Sequence, residues 1–233
     1  MITIFEETYL DYIPKVSFMH TACLISAFGG SALATDMWVQ RVCGRTSAVI
    51  SKHGGRLYIT AENADFKEIK EFIRVIGFSE IFCEKDTAVA LGFENFEDFT
   101  VLKKRVKKQE DFSLIPPLKS LYSALEEGAD GDISLPDFES FSLDISHRLR
   151  HSGAVAIAEE FGAALAFKSE FGGIINGIAV NKENRKQGNG SRLLKKICGY
   201  LEGEVFALAT EKATEFYIKN GFTKCDKAVL IRG

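Results

Sequence analysis

The chain has 233 residues, 46% of them hydrophobic and 26% charged, enough to bury a large core in one domain or two small ones. Lys+Arg of 29 against Asp+Glu of 32 leave a net charge of -3, so no global basic field draws the protein to nucleic acid or to an anionic membrane. The five cysteines (Cys23, Cys43, Cys83, Cys198, Cys225) are odd in number and contain no Cys-x-x-Cys pair, which argues against a disulfide framework or a zinc site and suits reduced thiols of a cytoplasmic protein.

From Val16 to Thr35 there is no charged residue, and Ala32-Leu33-Ala34 has the small-residue look of a signal-peptidase site. The residues before it carry Glu6, Glu7 and Asp11 against a single Lys15, the wrong sign for a secretory leader. His20, Ser26, Gly29 and Gly30 would make a poor membrane span, so a buried helix followed by a loop is expected. Further on, Glu71 to Phe78 echoes Glu215 to Phe222 at the Glu, the first Phe, the Gly and the last Phe. Each copy follows an apolar strand, Leu57 to Thr60 in one case and Val205 to Leu208 in the other. Matched surroundings favour a degenerate duplication over chance.

The run Lys103 to Glu110, followed by Pro116-Pro117, is the sharpest change of composition. It reads as a solvated connection between an N-terminal domain, 1–100, and a C-terminal domain, 112–233. Beyond it, Leu118, Leu121, Tyr122 and Leu125 recur at helical spacing up to Gly128. A second helix is expected from a capping Asp137 through Phe138, Phe141, Ile145 and Leu149 to Gly153. His147 and His151 share a face of it at i, i+4, but no Glu or Cys completes a metal pattern, so they read as surface or capping histidines.

Short apolar runs at 154–158, 163–168 and 174–180, separated by Gly162 and Gly172-Gly173, predict three antiparallel strands. A helix over about 190–201, a strand at 204–209, a helix at about 212–219 and a last strand near 227–232 follow. Between the third strand and its helix lies the chemically informative stretch, Asn181 to Ser191. Two glycines precede a helix with an apolar stripe of Leu193, Leu194, Ile197 and Leu201. Such a start offers unpaired N-H groups and the positive end of a dipole to an anion such as pyrophosphate. A Walker A run is absent, and a dinucleotide fingerprint fits poorly, since Asn181 to Gln187 intervene after the strand and Leu193 stands where its third glycine should be, although Glu211 lies at a suitable distance downstream.

Arg185-Lys186-Gln187-Gly188-Asn189-Gly190 fits Arg/Gln-x-x-Gly-x-Gly/Ala, and the stretch resembles the signature of the GNAT superfamily of acyl-CoA N-acyltransferases. Downstream, Tyr217-Ile218-Lys219-Asn220-Gly221-Phe222 is similar to that family's Tyr-x-x-x-Gly-Phe element. The resemblance covers roughly residues 115–233. It implies an α/β fold, a mixed and mostly antiparallel sheet flanked by helices, with a degenerate GNAT-like N-terminal half that shapes the acceptor site or covers the catalytic domain.

The implied cofactor site has the backbone amides of Gln187, Gly188, Asn189, Gly190 and Ser191 on the pyrophosphate of acetyl-CoA, beside Arg185 and Lys186. The edge of Ile178, Ala179 and Val180 would pair with the pantetheine arm, where that strand splays from the next. Tyr217 is the expected general acid toward the leaving thiolate; the competing reading makes it core with Ala213 and Phe216. Glu159, or its neighbour Glu160, is a candidate base for the acceptor amine, against a plain solvated strand-end carboxylate. Acetyl transfer from acetyl-CoA to a primary amine of a small molecule or protein is the expected function, with no metal. A non-catalytic acyl-CoA sensor is the alternative.

Overall fold

The computed structural model describes residues 1–6, 18–28, 35–112, 114–128, 135–170 and 172–233. The N-terminal half comprises β1 (Ile2–Ile4), α1 (Phe18–Phe28), β2 (Thr35–Val42), β3 (Arg45–His53), β4 (Arg56–Ala61), α2 (Phe66–Ile76), β5 (Glu80–Glu84), α3 (Lys85–Ala90) and β6 (Glu97–Val106). The C-terminal half follows with α4 (Leu118–Gly128), α5 (Phe138–Arg150), β7 (Ala154–Glu159), β8 (Gly162–Ser169), β9 (Gly172–Val180), α6 (Asn189–Gly199), β10 (Gly203–Ala209), α7 (Glu211–Lys219) and β11 (Thr223–Arg232). The expected order of helix, helix, three strands, helix, strand, helix, strand is that of α4 to β11. Asp137 caps α5 by accepting from the Ser140 N-H, and Gly153 lies just beyond the helix. His151 is the C-cap residue of the same helix, in ring contact with His147.

The eleven strands among the described residues form one sheet, in the order β1-β2-β3-β4-β5-β11-β6-β10-β9-β8-β7. Only β4-β5 and β9-β10 are parallel, each bridged by a helix, α2 in the first case and α6 in the second. The middle of the sheet is an exchange. β6, the last strand of the N-terminal half, lies between β10 and β11, the last two strands of the C-terminal half. Reciprocally, β11 lies between β5 and β6. Each half therefore supplies the strand that joins the other's final pair. The basic run at 103–110 is consequently not a connection throughout: Lys103 to Val106 are strand, paired across to Phe206 through Gly203 of β10.

The duplication is visible in this topology, but in a different alignment from the one the sequence suggested. β4, α2, β5, α3 and β6 correspond in order to β9, α6, β10, α7 and β11. Glu71 to Phe78 thus belongs to the counterpart of α6, not of α7. The real echo of Gly221-Phe222 is Gly92-Phe93, where each glycine ends its helix in the left-handed region, at φ 82° and φ 83°. A residue with a Cβ is strained there, so both copies retain glycine.

One face of the sheet carries α6 and α7 over the C-terminal half. Leu193, Leu194, Ile197 and Leu201 pack there on Val205, Ala207 and Phe222. The other face carries α4 and α5, which cover Ala154, Ala156 and Leu165. The charge-free N-terminal segment forms the expected buried helix: Phe18, Met19 and Ala22 of α1 pack on Val101, Phe206 and Ala228 at the centre of this second face. Residues 7–17 and 29–34, including the signal-peptidase-like triplet, lie outside the described residues. No described helix is long and apolar enough to cross a membrane.

The exchange makes a strong demand on any fragment. Val101 and Leu102 of β6 are at most 1% exposed, and each buried side chain of this size contributes about 1.5–3 kcal/mol. That is a large share of a typical net stability of about 5–15 kcal/mol. A fragment of residues 112–233 should therefore show no cooperative thermal transition, whereas one of residues 97–233 should regain it. A cooperative melt by the 112–233 fragment, followed by circular dichroism, would make β6 dispensable to the C-terminal half.

Candidate functional site

The site begins where two parallel strands part. β9 and β10 pair only at Gly173, Ile174 and Ile175 against Val205, Phe206 and Ala207. Beyond that point β9 continues to Val180 with β8 alone as its partner. The register between β8 and β9 slips by one residue between Leu165 and Ala166, so Asn176 is an extra residue in β9 and stands exposed. Such a bulge bends its strand and frees one edge. A slot consequently opens between β9 and β10, edged by Ile178, Ala179 and Val180, with Ala179 buried. By contrast β4 and β5 of the N-terminal half stay paired from Arg56 to Ile59, and no such slot opens between them.

At the end of β9 the chain turns through a short 3-10 segment, Lys182–Asn184, into residues 185–188 and α6. Three side chains fix this loop. The Arg185 guanidinium donates to the carbonyls of Val180 (2.9 Å) and Gly128 (3.0 Å), joining the loop to β9 and to the C-terminus of α4. Gln187 donates to the Glu183 carbonyl, and Asn189 to that of Asn184. The guanidinium of Arg185 is therefore a brace for the loop.

The N-cap of α6 is Gly188 at φ 84°, with no side-chain hydrogen bond at the helix end. Lys186 is also left-handed, at φ 60°. The first helical bond runs from the Arg192 N-H to the Gly188 carbonyl, and none of the backbone N-H groups of residues 186–191 donates to another described residue. An ordinary helix start leaves four such donors; here six in sequence are left without an acceptor among the described residues at the positive end of the helix dipole, a donor set that fits a phosphate or pyrophosphate. Gly190 has a different function. A Cβ there would meet the Phe216 ring at 3.2 Å, so α7 packs directly onto the first turn of α6. Phe216 was not picked out for this contact from the sequence, although it precedes Tyr217 and packs on the face opposite the small residue.

The corresponding place in the N-terminal half is closed. The counterpart of residues 181–188 is Glu62 to Asp65, between β4 and α2. There the Asp65 carboxylate accepts from the N-H groups of Lys67 and Glu68, both at 3.1 Å. The helix end is thus already occupied by an anion of its own chain.

Tyr217 lies within the core under α6 and α7, 7% exposed, its ring edge-on to Phe216 and Phe222. Burial pushes its phenol above the ordinary tyrosine range, with nearby Cys198 adding to the effect. The hydroxyl stays protonated through neutral pH, and no described residue accepts a hydrogen bond from it. Cys198 is itself buried, which pushes its thiol to about 11, so it offers no thiolate. Glu159 is in another place altogether. At the end of the outermost strand, β7, it is held by Lys196 (2.7 Å) and Arg192 (3.3 Å) of α6, two strands away from the slot. The structure thus places this candidate base on the edge of the sheet, shared between two cations and apart from the slot. Glu160 is exposed in the following turn. Among the described residues no three His, Cys, Asp or Glu side chains gather as a metal group.

With this geometry in place, comparison with known proteins is informative. Residues 151–224 match the family described as the acetyltransferase (GNAT) domain. No curated protein matches the sequence. Among solved structures, the whole chain superposes on a tandem GNAT protein from the clavulanic acid biosynthesis pathway, covering 98% of it at 12% identity with a TM-score of 0.56. It likewise matches 95% of a GCN5-related N-acetyltransferase from Sphaerobacter thermophilus at 16% identity and a TM-score of 0.56. A GCN5-related N-acetyltransferase from Kribbella flavida matches 79% of this chain over 85% of its own, at 14% identity and a TM-score of 0.54. At such identities the likeness is one of fold.

Proposed function

We propose that the protein transfers an acetyl group from acetyl-CoA to a primary amine, on the premise that residues 151–224 match the GNAT acetyltransferase domain and that the whole chain shares the fold of a tandem GNAT protein. The observation that carries the reading is the row of free N-H groups from Lys186 to Ser191 at the mouth of the β9-β10 slot. In this reading those amides, that of Gly190 included, hold the pyrophosphate, Gly188 lets the backbone approach it, and the open edge of Ile178 to Val180 receives the pantetheine arm.

Coenzyme A would supply an activated acyl thioester with a thiolate as leaving group. The protein's own part is positioning and proton transfer. The slot passes through the sheet, and α6 and α7 fill one of its faces with Tyr217 among their side chains. An acceptor must then approach from the other face, beside Leu208 and α1, while the Tyr217 hydroxyl delivers its proton to the departing sulfur from the α7 side. The buried Cys198 and the absence of any other described cysteine in this core support direct attack over an acyl-enzyme. A second reading, an acyl-CoA sensor, draws on one observation: Glu159, the carboxylate picked out as base from the sequence, is paired with Arg192 and Lys196 at the sheet edge. Release of free thiol from acetyl-CoA across a panel of amines decides between them, since saturable binding without thiol release from any amine would identify the sensor.

Two substitutions test the assignment. A Cβ at Gly188 would meet nothing within 4 Å, so the fold itself leaves room for a side chain there, with some strain from the positive φ. Gly188→Asp places a negative charge at the cradle, while Gly188→Asn imposes similar strain and size without it. The Asp variant should lose at least about tenfold in CoA affinity, about 1.4 kcal/mol, relative to the Asn variant. Equal affinities by calorimetry would remove the cradle from the model of binding. For Tyr217, replacement by Phe keeps the ring that packs on Phe216 and Phe222. Stability and acetyl-CoA affinity should barely change, and turnover should fall about 10²-fold where chemistry limits the rate. A Tyr217→Phe enzyme within about threefold of wild type would leave the residue a core tyrosine only.

A further inference from the structure

On the face of the sheet from which an acceptor would approach, the N-terminal half places a carboxylate that no part of the fold explains. Glu84 ends β5. Its Oε1 accepts from the Thr60 hydroxyl at 3.0 Å, while Oε2 is buried and has no hydrogen-bond partner. No cation among the described residues pairs with it. Two residues before it, Phe82 stacks on Tyr58 and meets Phe99 of β6. Alternation along the strand puts Glu84 on that same face. Cys23 of α1 feels its charge, as expected of a group on the α1 side.

The register then locates Glu84 relative to the slot. It pairs with Ala228 of β11, which pairs with Phe99 of β6, next to the Thr100-Ala209 pair with β10. Glu84 therefore lies level with the C-terminal end of β10, three strand spacings away, or about 14 Å between backbones. Between the two, Ala228 is buried against α1, and half-exposed Phe99 and Leu208 flank it together with exposed Asp226. An apolar track on the sheet thus has the slot at one end and an unpaired carboxylate, with a second carboxylate near it, at the other. A buried carboxylate without a counter-ion is costly to retain in a fold unless a cation completes it.

We propose that Glu84, the contribution of the degenerate N-terminal half to the site, binds a second ammonium group of the acceptor, so that the substrate class is a di- or polyamine with charges on the order of 10 Å apart. This rests on the acetyl-transfer reading above. The amine at one end reaches the slot, the methylene chain lies over Phe99 and Leu208, and the far ammonium sits on Glu84 with Asp226 adding to the field. The arrangement is also pH-dependent. Burial pushes the Glu84 carboxyl up to about 7, and the charge of Asp226 adds to this. Among the described residues the other titratable groups coupled to it, Cys23 of α1 and Cys83 of β5, are themselves raised to about 12 and stay neutral. Affinity for the far ammonium should accordingly grow as pH rises from 6 to 8.

The test compares octylamine with 1,8-diaminooctane and spermidine on the full-length protein, by thiol release from acetyl-CoA and by thermal shift. Wild type should show a KM at least tenfold lower for the diamine than for octylamine. Glu84→Gln should erase that difference by raising the diamine KM, with kcat and the octylamine KM within twofold. Folding is safeguarded by the near-isosteric change. Since a carboxyl with a raised folded-state pKa costs stability as pH rises from the unfolded value through about 7, the variant should melt higher than wild type at pH 8. Spermidine should raise the melting temperature of wild type and not of the variant. Amine acetylation with no preference for a second charge, or with a preference that survives Glu84→Gln, overturns the inference and leaves the acetyl-transfer reading intact. A Glu84-dependent thermal shift without thiol release from any amine overturns acetyl transfer and sustains the cation site. No thiol release and no shift overturn both.

Discussion

The antiparallel pairing of β6 with β11 is the contact on which the rest of the molecule depends. Each of these strands comes last in its half and is placed next to the other half's last strand, so the sheet cannot be divided between Glu110 and Phe112 as the chain can. The consequence is geometric as well as energetic. β10 and β5 run antiparallel to each other on either side of the central pair, and their C-terminal ends arrive at the same level of the sheet. In one half that level is the mouth of a slot. In the other it carries Glu84, at the end of a strand pair that has remained closed.

Much of this was legible in the sequence where the signal is local. α5 was readable from Asp137, the Phe138-Phe141-Ile145-Leu149 stripe and Gly153, and α6 from its apolar stripe after two glycines, because capping and helical periodicity are properties of a few adjacent residues. The strand exchange was not. Lys103, Lys104 and Arg105 look like a solvated linker, yet they lie in β6, where Arg105 is exposed and Lys104 reaches the Asn220 carbonyl at 2.8 Å. A central strand is normally an apolar run; β6 leaves the core as it nears Val106, so its charged end hides it. The duplication was recognised but misaligned, since Gly-Phe follows α2 as it follows α3, and only pairing order distinguishes the two.

For the site, the glycine loop and the edge of β9 could be named residue by residue, while the side-chain environments could not. That Arg185 braces the loop through Val180 and Gly128 depends on where α4 ends in space. That Glu159 is neutralised by Arg192 and Lys196 depends on α6 crossing beside β7, some 33 residues further along the chain. Asn176, the one polar residue between Ile175 and Gly177, was a visible sign of the bulge, since an amide interrupting an apolar strand seldom packs as a regular core position.

The two helix starts explain why only one half has a claim to a phosphate. Both α2 and α6 cross from one parallel strand to the next, and both bring the positive end of a dipole to the end of a strand. At α2 a side-chain carboxylate satisfies the first donors, a contribution of about 1 kcal/mol to the helix. At α6 the cap is a left-handed glycine, which forgoes that contribution and leaves the donors of Lys186 to Ser191 without an acceptor among the described residues. The same fold thus separates into a stable half and a receptive one through the residue at a single cap. At α2 the cap is closed by its own chain, but the neighbouring strand end, Glu84 of β5, still stands at the level of the sheet where β9 and β10 part, which is the basis of the role proposed for it.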